Sequence, residues 1–402
     1  MSKEERILAY IDEHGDEIIS FMQKLIKTVS VTGDESEIGR LMVEECRRDG
    51  LEVEIVEPAE NRVSIVARHR GTTGKPRVMV YSHYDTVPPG DPGEWRHPPF
   101  SATIAEGKLW GRGATDNKIA TCAVTMAFRA IRSLGIELKG DAVFVHVADE
   151  EKGGKYGFRE ILDRGYGEGV DYLFYGHGGS REHIGIAANG SVTAVITVKG
   201  RAVHTRSLEE GVNAVQKAAR LIVGLQELAD EVNSREYPLP GTETVMRSRF
   251  SVNGCQGYVA TNCVPDRCEI IVDRRYTPAE DPEQAEAEIL LVMEELEAED
   301  PDFDAELSFE PRMDLSVSPA DSEIVRSFQR AAEKVIGITP KPRGGSHSSD
   351  HGYFVTKHGK PVASYGIGGV GSHQANEHIA VEDIILTTKV YALAMLDLLG
   401  AE

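Results

Sequence analysis

The sequence predicts an α/β protein interrupted by a smaller α+β domain, and three observations predict it. Short apolar runs of strand length alternate with long amphipathic stretches in the first and last parts of the chain. The middle part has the order β-α-β-β-α-β, the ferredoxin-like plan. The length of 402 residues exceeds what one core supports. The expected division is residues 1–186 with 310–402 for the first domain and 187–309 for an inserted one.

Over the first 30 residues, Ile7, Tyr10, Ile11, Ile18, Ile19, Met22, Leu25 and Ile26 recur at helical spacing, and another helix is expected over 36–49. Residues 77–81 (RVMVY), 142–147 (AVFVHV), 172–175 (YLFY) and 361–365 (PVASY) read as buried strands. Amphipathic helices are expected over 118–134 and 322–336, and a closing helix over 382–399. In the insertion, a strand over 192–198 precedes a helix over 212–232. Next come strands near 242–252 and 268–273, then a helix over 282–298 and a last strand over 305–309. Asp281 is a candidate cap for that second helix, with Pro282 in its first turn. The stripe Val212, Val215, Ala218, Ala219, Ile222 either covers its own sheet or packs against a second subunit.

Composition excludes several classes. Hydrophobic residues make up 41%, with 40 Gly and 18 Pro, as in ordinary globular proteins rather than disordered ones. A net charge of −21 argues against a nucleic-acid partner, since phosphate binding needs a basic surface, and reads as solubility. The acidic run 294–299 reads as a solvated helix face. The start MSKEERILAYIDEHGDEII carries charges throughout, so no secretion signal is expected, and no window has the apolar length of a membrane span. Cys46, Cys122, Cys255, Cys263 and Cys268 are odd in number and form no C-x-x-C pair, which fits reduced thiols in a cytoplasmic protein.

The residues suited to chemistry lie just past the strands. After RVMVY come Ser82, His83, Tyr84 and Asp85; after AVFVHV come Ala148, Asp149, Glu150 and Glu151. After YLFY come Gly176, His177, Gly178 and Gly179; after PVASY a glycine-rich turn leads to Ser372 and His373. Open α/β sheets place their sites at the C-terminal strand edge, so these residues are expected to converge. Asp116, in GRGATD, sits where a long helix begins. Imidazole and carboxylate together suit zinc, with manganese or cobalt as alternatives. One carboxylate can bridge two ions about 3.5–4 Å apart, and Asp116, near the middle of the set, is the candidate bridge. His83 and Asp85, two apart on an extended segment, point the same way, so Asp85 can hold the ring nitrogen of His83 that does not bind metal. Glu150 and Glu151 diverge if extended: one can ligate metal while the other faces a substrate water. Taken singly, a histidine at a strand end or a glutamate pair is more often structural; convergence on one edge favours function.

The stretch SHYDTVPPGDPGEWRHPPFSATIAEGKLWGRGATDNK resembles the signature of the M20 metallopeptidase family, which includes acetylornithine deacetylase, succinyl-diaminopimelate desuccinylase, aminoacylase and glutamate carboxypeptidase. The resemblance continues through ADEEKGG, KGRAVHT, GYVATNCVPD, DRRYTP and SHQANE, spanning nearly the whole chain. It implies a phosphorylase/hydrolase-like mixed sheet layered by helices, a ferredoxin-like lid, and homodimerisation through that lid. It also implies two divalent ions: His83 on the first, supported by Asp85; Asp116 bridging; Glu150 as general base; Glu151 and His373 on the second. The first ion's remaining ligand in the family is a carboxylate, and here that position holds His177, with His183 as the alternative if the loop is shifted. Exchanging carboxylate for imidazole removes one negative charge, which strengthens Lewis acidity and weakens retention.

In the lid, the resemblance makes His204 a residue that polarises the scissile carbonyl, in dimeric relatives from the partner subunit. Asn262 is similar to a lid residue that meets substrate. Arg275 is similar to the arginine that pairs with the substrate carboxylate, although Arg274 is adjacent and an ordinary salt bridge is the competing reading. Gly344, Gly345 and residues 346–350 match a glycine-rich turn lining the pocket, and His347 and His351 are additions there. The implied activity is hydrolysis of an amide-type C–N bond in a small carboxylate-bearing substrate, by a deacylase or a dipeptidase or carboxypeptidase. An aminopeptidase or a hydrolytic deaminase of a small acid competes on the same scaffold. A non-catalytic metal-stabilised protein is the reading of another class, and a free Glu150 speaks against it. Lid closure would hinge near 185–189 and 310–313.

Overall fold

The computed structural model describes every residue except Gly178, whose part in the turn after the YLFY strand lies outside the described residues. The chain opens with helices Lys3–Glu13 and Gly15–Lys27. The first starts in a capping box, Ser2 Oγ accepting from Glu5 N while the Glu5 carboxylate accepts from Ser2 N. Among the described residues, no helix is long and apolar enough to cross a membrane.

A nine-stranded sheet organises the first unit. The four strands expected from the apolar runs are its centre: Asp141–Val147, Arg77–His83, Tyr172–Gly176 and Val362–Tyr365 lie side by side and parallel. Their near-continuous apolar sequence reflects burial on both faces. Val78, Val80, Phe144 and Phe174 join a large core under Lys118–Ser133, Glu323–Ile336, Val381–Leu399 and the two N-terminal helices. Met79, Tyr81, Val145 and Leu173 join a smaller core on the other face with Phe158, Ile161 and Phe354. Being parallel, all four strands present their C-terminal ends along one edge. The outer strands Glu52–Val56, Ser64–His69, His183–Ala188, Ser316–Val317 and Lys341–Gly345 extend the sheet beyond the expectation. Several are short or polar, so apolar runs do not mark them.

The second unit is a four-stranded antiparallel sheet in the order Arg249–Gln256, Arg267–Tyr276, Gly190–Lys199, Asp304–Phe309. Helices Ala214–Asn233 and Pro282–Glu299 cover one face, and their core includes Ala218, Leu221, Leu225, Ile289 and Met293. Of the stripe Val212 to Ile222, Ala218 is buried in that core and Val215 and Ile222 pack on it, so the stripe mainly covers its own sheet. Asp281 occupies the cap position but its side chain makes no capping bond. The single strand expected near 242–252 is two strands. Val245–Arg247 pairs with Glu236–Pro238 in a separate hairpin, and only Arg249–Gln256 joins the lid sheet. The hairpin's Leu239 and Met246 pack into the large core, a tertiary choice that the local pattern does not encode. All five cysteines are free, with Cys255 Sγ and Cys268 Sγ 3.6 Å apart.

Candidate metal centre

His83 ends the strand Arg77–His83 and is fully buried. Its Nδ1 lies 3.4 Å from Asp85 Oδ1 and 3.3 Å from the Asp85 carbonyl oxygen. The Asp85 carboxylate also accepts from the backbone N–H of Glu150 (3.2 Å) and Glu151 (3.2 Å) and from Thr32 Oγ1 (2.9 Å). One carboxylate thus aims the imidazole and braces the glutamate pair. That pair is not in the extended conformation expected from the sequence. Asp149 turns the chain at φ 69°, and Glu150–Lys152 form a single 3₁₀ turn. Asp149 is held in this sparsely populated conformation by Arg62 and by the N–H of Tyr156. The two glutamates still part company. Glu150 Oε1 accepts from Ser349 Oγ at 2.9 Å, whereas Glu151 lies 3.0 Å from His373 Nε2.

Asp116 stands between two groups. Its Oδ1 is 3.2 Å from His83 Nε2 and 3.6 Å from His177 Nε2, and its Oδ2 is 3.3 Å from His373 Nε2. Donor atoms of Asp116, Glu151 and His373 all fall within 4.8 Å of one another. His83 Nε2 is buried and meets no hydrogen-bond geometry, as suits an atom whose partner is a metal. Three imidazoles, of His83, His177 and His373, and two carboxylates, of Asp116 and Glu151, are the donor types that suit a divalent metal ion, and Asp116, Glu151 and His373 lie close enough together to share one.

The electrostatics agree with this crowding. Burial opposes a charged His83 ring, yet the carboxylates of Glu150, Asp116 and Asp85 raise its pKa well above the ordinary value. Burial would raise Asp116, but His373, His83 and His177 hold it well below the usual carboxylate range. Burial, with Asp116 and Glu150 close by, pushes Glu151 up to about 8. The hydrogen bond to Asp116 raises His373 to about 9.

His177, rather than His183, reaches Asp116; His183 begins the strand His183–Ala188, with Nδ1 3.2 Å from Ser180 Oγ. His177 stacks on Tyr175, with ring centroids 5.8 Å apart. If His177 holds a metal ion together with Asp116, replacing it by Glu is expected to tighten that ion about tenfold or more, equivalent to about 1.4 kcal/mol, while lowering kcat. A competition titration against a chromophoric chelator measures the affinity. His347 and His351 carry pKa values depressed to about 4 and about 3, chiefly by burial and then by the neighbouring imidazoles, with Arg275 also acting on His347. His347 lines the cavity, whereas His351 packs against Tyr175 at 4.8 Å.

The cavity, about 1180 Å³, spans both units. Asp116, Glu150, Glu151, His177 and His373 line one side, and Thr193, Asp273 and Arg275 from the open face of the lid sheet line the other. Strand alternation separates the two arginines. Cys268, Ile270, Val272 and Arg274 point into the lid core, and Asp273 and Arg275 point out of it. Arg274 is fully buried and pairs with Glu280 and Glu288, whereas Arg275 bonds Asp273 (3.0 Å) and the Ser346 carbonyl (3.0 Å). Arg274→Ala is therefore expected to destabilise the protein by about 3–5 kcal/mol, the cost of stranding buried charge. Arg275→Ala is expected to leave stability nearly unchanged and raise KM about 10–100-fold, for lost charge-assisted bonds of about 1.5–3 kcal/mol. Thermal melts and steady-state kinetics on both variants test the pair. Despite its burial, Glu280 is pulled down to about 2 by Ser248, the Thr277 N–H and Arg274. Its contribution is accordingly full above the ordinary value of 4.5 and is lost as pH falls through about 2.

His204 and Asn262 do not line this cavity. They are exposed neighbours of each other, with His204 paired to Cys263 and the Asn262 carbonyl accepting from Thr205 N at 3.1 Å. Of four supporting residues, Thr32, Arg62, Ser349 and Glu377, sequence alone places only Ser349, as part of the turn lining the pocket, and assigns none of them a specific contact. Of these, Ser349 and Glu377 lie inside motifs quoted above, which is the signal that could have found them; Thr32 and Arg62 have no such signal.

Residues 79–397 match the model of peptidase family M20/M25/M40. The chain is 27% identical over 391 residues to a succinyl-diaminopimelate desuccinylase of Hydrogenovibrio crunogenus, covering 95% of this chain and 99% of the relative. Its fold is similar to that of the di-peptidase Dug1p of Saccharomyces cerevisiae, with TM-score 0.82, 18% identity and 99% of each chain covered. A dinuclear metal binding peptidase of the M20 family from Bacillus subtilis matches with TM-score 0.70 and 17% identity, over 97% of this chain and 100% of its own. With most of its length matched by the family model and its donor residues gathered at one sheet edge, the chain belongs to peptidase family M20/M25/M40 and is a metal-dependent hydrolase of amide-type C–N bonds.

Proposed function

We propose that the chain removes the acyl group from a small N-acyl amino acid, with two zinc ions held at the sheet edge. The observation that carries this is Asp116 presenting one oxygen to His83 and His177 and the other to His373, with Glu150 beside them and bonded to Ser349. His83, His177 and Asp116 would hold the first ion, and Asp116, Glu151 and His373 the second. Bound there, the ions supply Lewis acidity for activating water and polarising the amide carbonyl. Glu150 takes the proton from the attacking water and returns it to the leaving nitrogen, so water is divided between a carboxylic acid and an amine. Ser349 steadies this carboxylate by donating to Oε1. Arg275, braced by Asp273 and the Ser346 carbonyl, offers its remaining donors to the substrate carboxylate.

Residues 187–309 act as the lid, hinging near Asn189 and Met313, where the Ser191–Met313 bridge joins the two connections. His204 and Asn262 serve a second subunit's cavity. Exposed Leu208, Tyr258 and Val259 in the same part of the lid support a homodimer through that face. Free thiols fit the cytoplasm. The test is hydrolysis of N-acetyl, N-succinyl and N-carbamoyl amino acids and of dipeptides, with zinc, manganese or cobalt added in turn and with a chelator. Cleavage of free-amine dipeptides alone, or turnover indifferent to chelation, would overturn the deacylase reading.

A further inference from the structure

We propose that Glu377 is a positioning residue that sets Asp116 between its two ligand groups and thereby secures the second ion; this rests on the two-ion reading above. The Glu377 side chain is fully buried, and five donors converge on its carboxylate. Oε2 accepts from Arg112 Nη1 at 2.7 Å and from Gly113 N at 3.1 Å. Oε1 accepts from Thr115 N at 2.8 Å, Thr115 Oγ1 at 2.9 Å and Asp116 N at 3.2 Å. The Glu377 carbonyl accepts from Gly111 N at 3.0 Å. Residues 111–116 therefore wrap around one residue, and a carboxylate has about four lone-pair sites with which to hold them.

A buried partner for Arg112 would explain one of these bonds. It does not explain the grip on the amide of Asp116 itself, nor the contact of Thr115 Oγ1 with Ser372 Oγ at 2.9 Å. Ser372 precedes His373, which sits at φ 62° at the start of the segment that Glu377 ends. Two ligands of the second ion, Asp116 and His373, are thus fixed through Glu377. The first ion shares only Asp116 with this network, because His83 and His177 stand at the ends of separate strands. Loss of the Glu377 charge should loosen the second ion selectively.

The experiment is zinc titration of the full-length native protein and of Glu377→Gln at buffered free zinc, with melting temperature, kcat and KM measured in parallel. The expected result is two ions in the native protein; in the variant, the second ion binds about 10–100-fold more weakly, the usual effect of removing an outer partner, and the first ion, which shares only Asp116 with the network, weakens less. Excess zinc then restores kcat at unchanged KM. A lowered melting temperature with both affinities intact, or equal weakening of both, overturns the proposal alone. A native protein that binds one ion overturns the two-ion reading and the proposal together. If Glu377→Gln does not fold, Thr115→Val decides by the same titration: a weaker second ion supports the proposal, and native binding overturns it.

Discussion

Replacing Glu150 by Ala is expected to lower kcat by about 10²–10⁴, the range attributed to a positioned acid–base group, with two ions per chain still bound. The separation of turnover from metal content reflects where the carboxylate is tied. Its Oε1 bonds Ser349, and its Oε2 is 3.8 Å from His83 Nε2, farther than Asp116 Oδ1 at 3.2 Å. Burial, then Asp116 and Asp85, raises its pKa above the ordinary value, against the pull of His83. A raised carboxylate is a better proton acceptor, which is what the reaction asks of it. Glu151→Ala, by contrast, is expected to lose metal together with activity. Elemental analysis beside steady-state kinetics distinguishes them, and a Glu150→Ala variant turning over at the native rate would remove Glu150 from the mechanism.

Asp116→Ala is expected to have the largest effect on metal, weakening both ions by more than about 100-fold, since outer partners alone are worth 10–100-fold. The reason is geometric: both ligand groups share this one side chain, one on each oxygen. Without it, His83 and His177 no longer share a carboxylate with His373. The measurement is ion stoichiometry after dialysis against buffered zinc, with circular dichroism to show that the helix Lys118–Ser133 persists. In metal-free native protein, His373 is expected to stay protonated up to about pH 9 and to fall toward its ordinary value in the variant, because the hydrogen bond to Asp116 is the main cause of the rise. Proton NMR reads this directly, and an unchanged His373 titration would count against the assigned contact.

Much of the site was legible locally. A strand announces itself by an apolar run, and the residues at its C-terminal end come next in the chain, so His83, the Glu150–Glu151 pair, His177 and His373 could be named before any distance was known. The choice between Arg274 and Arg275 was also within reach. Cys268, Ile270 and Val272 put even positions in the lid core, which sends Arg274 inward and Arg275 toward the cavity. The conformation of the glutamate pair was not legible, because the φ of Asp149 depends on Arg62, far off in sequence, gripping its carboxylate. Nor was the hairpin Glu236–Arg247, whose apolar residues chose the large core over the lid.

By itself the sequence determined the strand and helix periods, the types of the candidate donors, and the order in which they follow the strands along the chain. These are properties of neighbouring residues, carried by side-chain type and spacing. Only the tertiary structure decided which oxygen of Asp116 faces which imidazole and why that carboxylate stays in place. The amide of Asp116 is held by Glu377 across 261 positions of chain, and no local pattern encodes a contact made by closing a loop of that length.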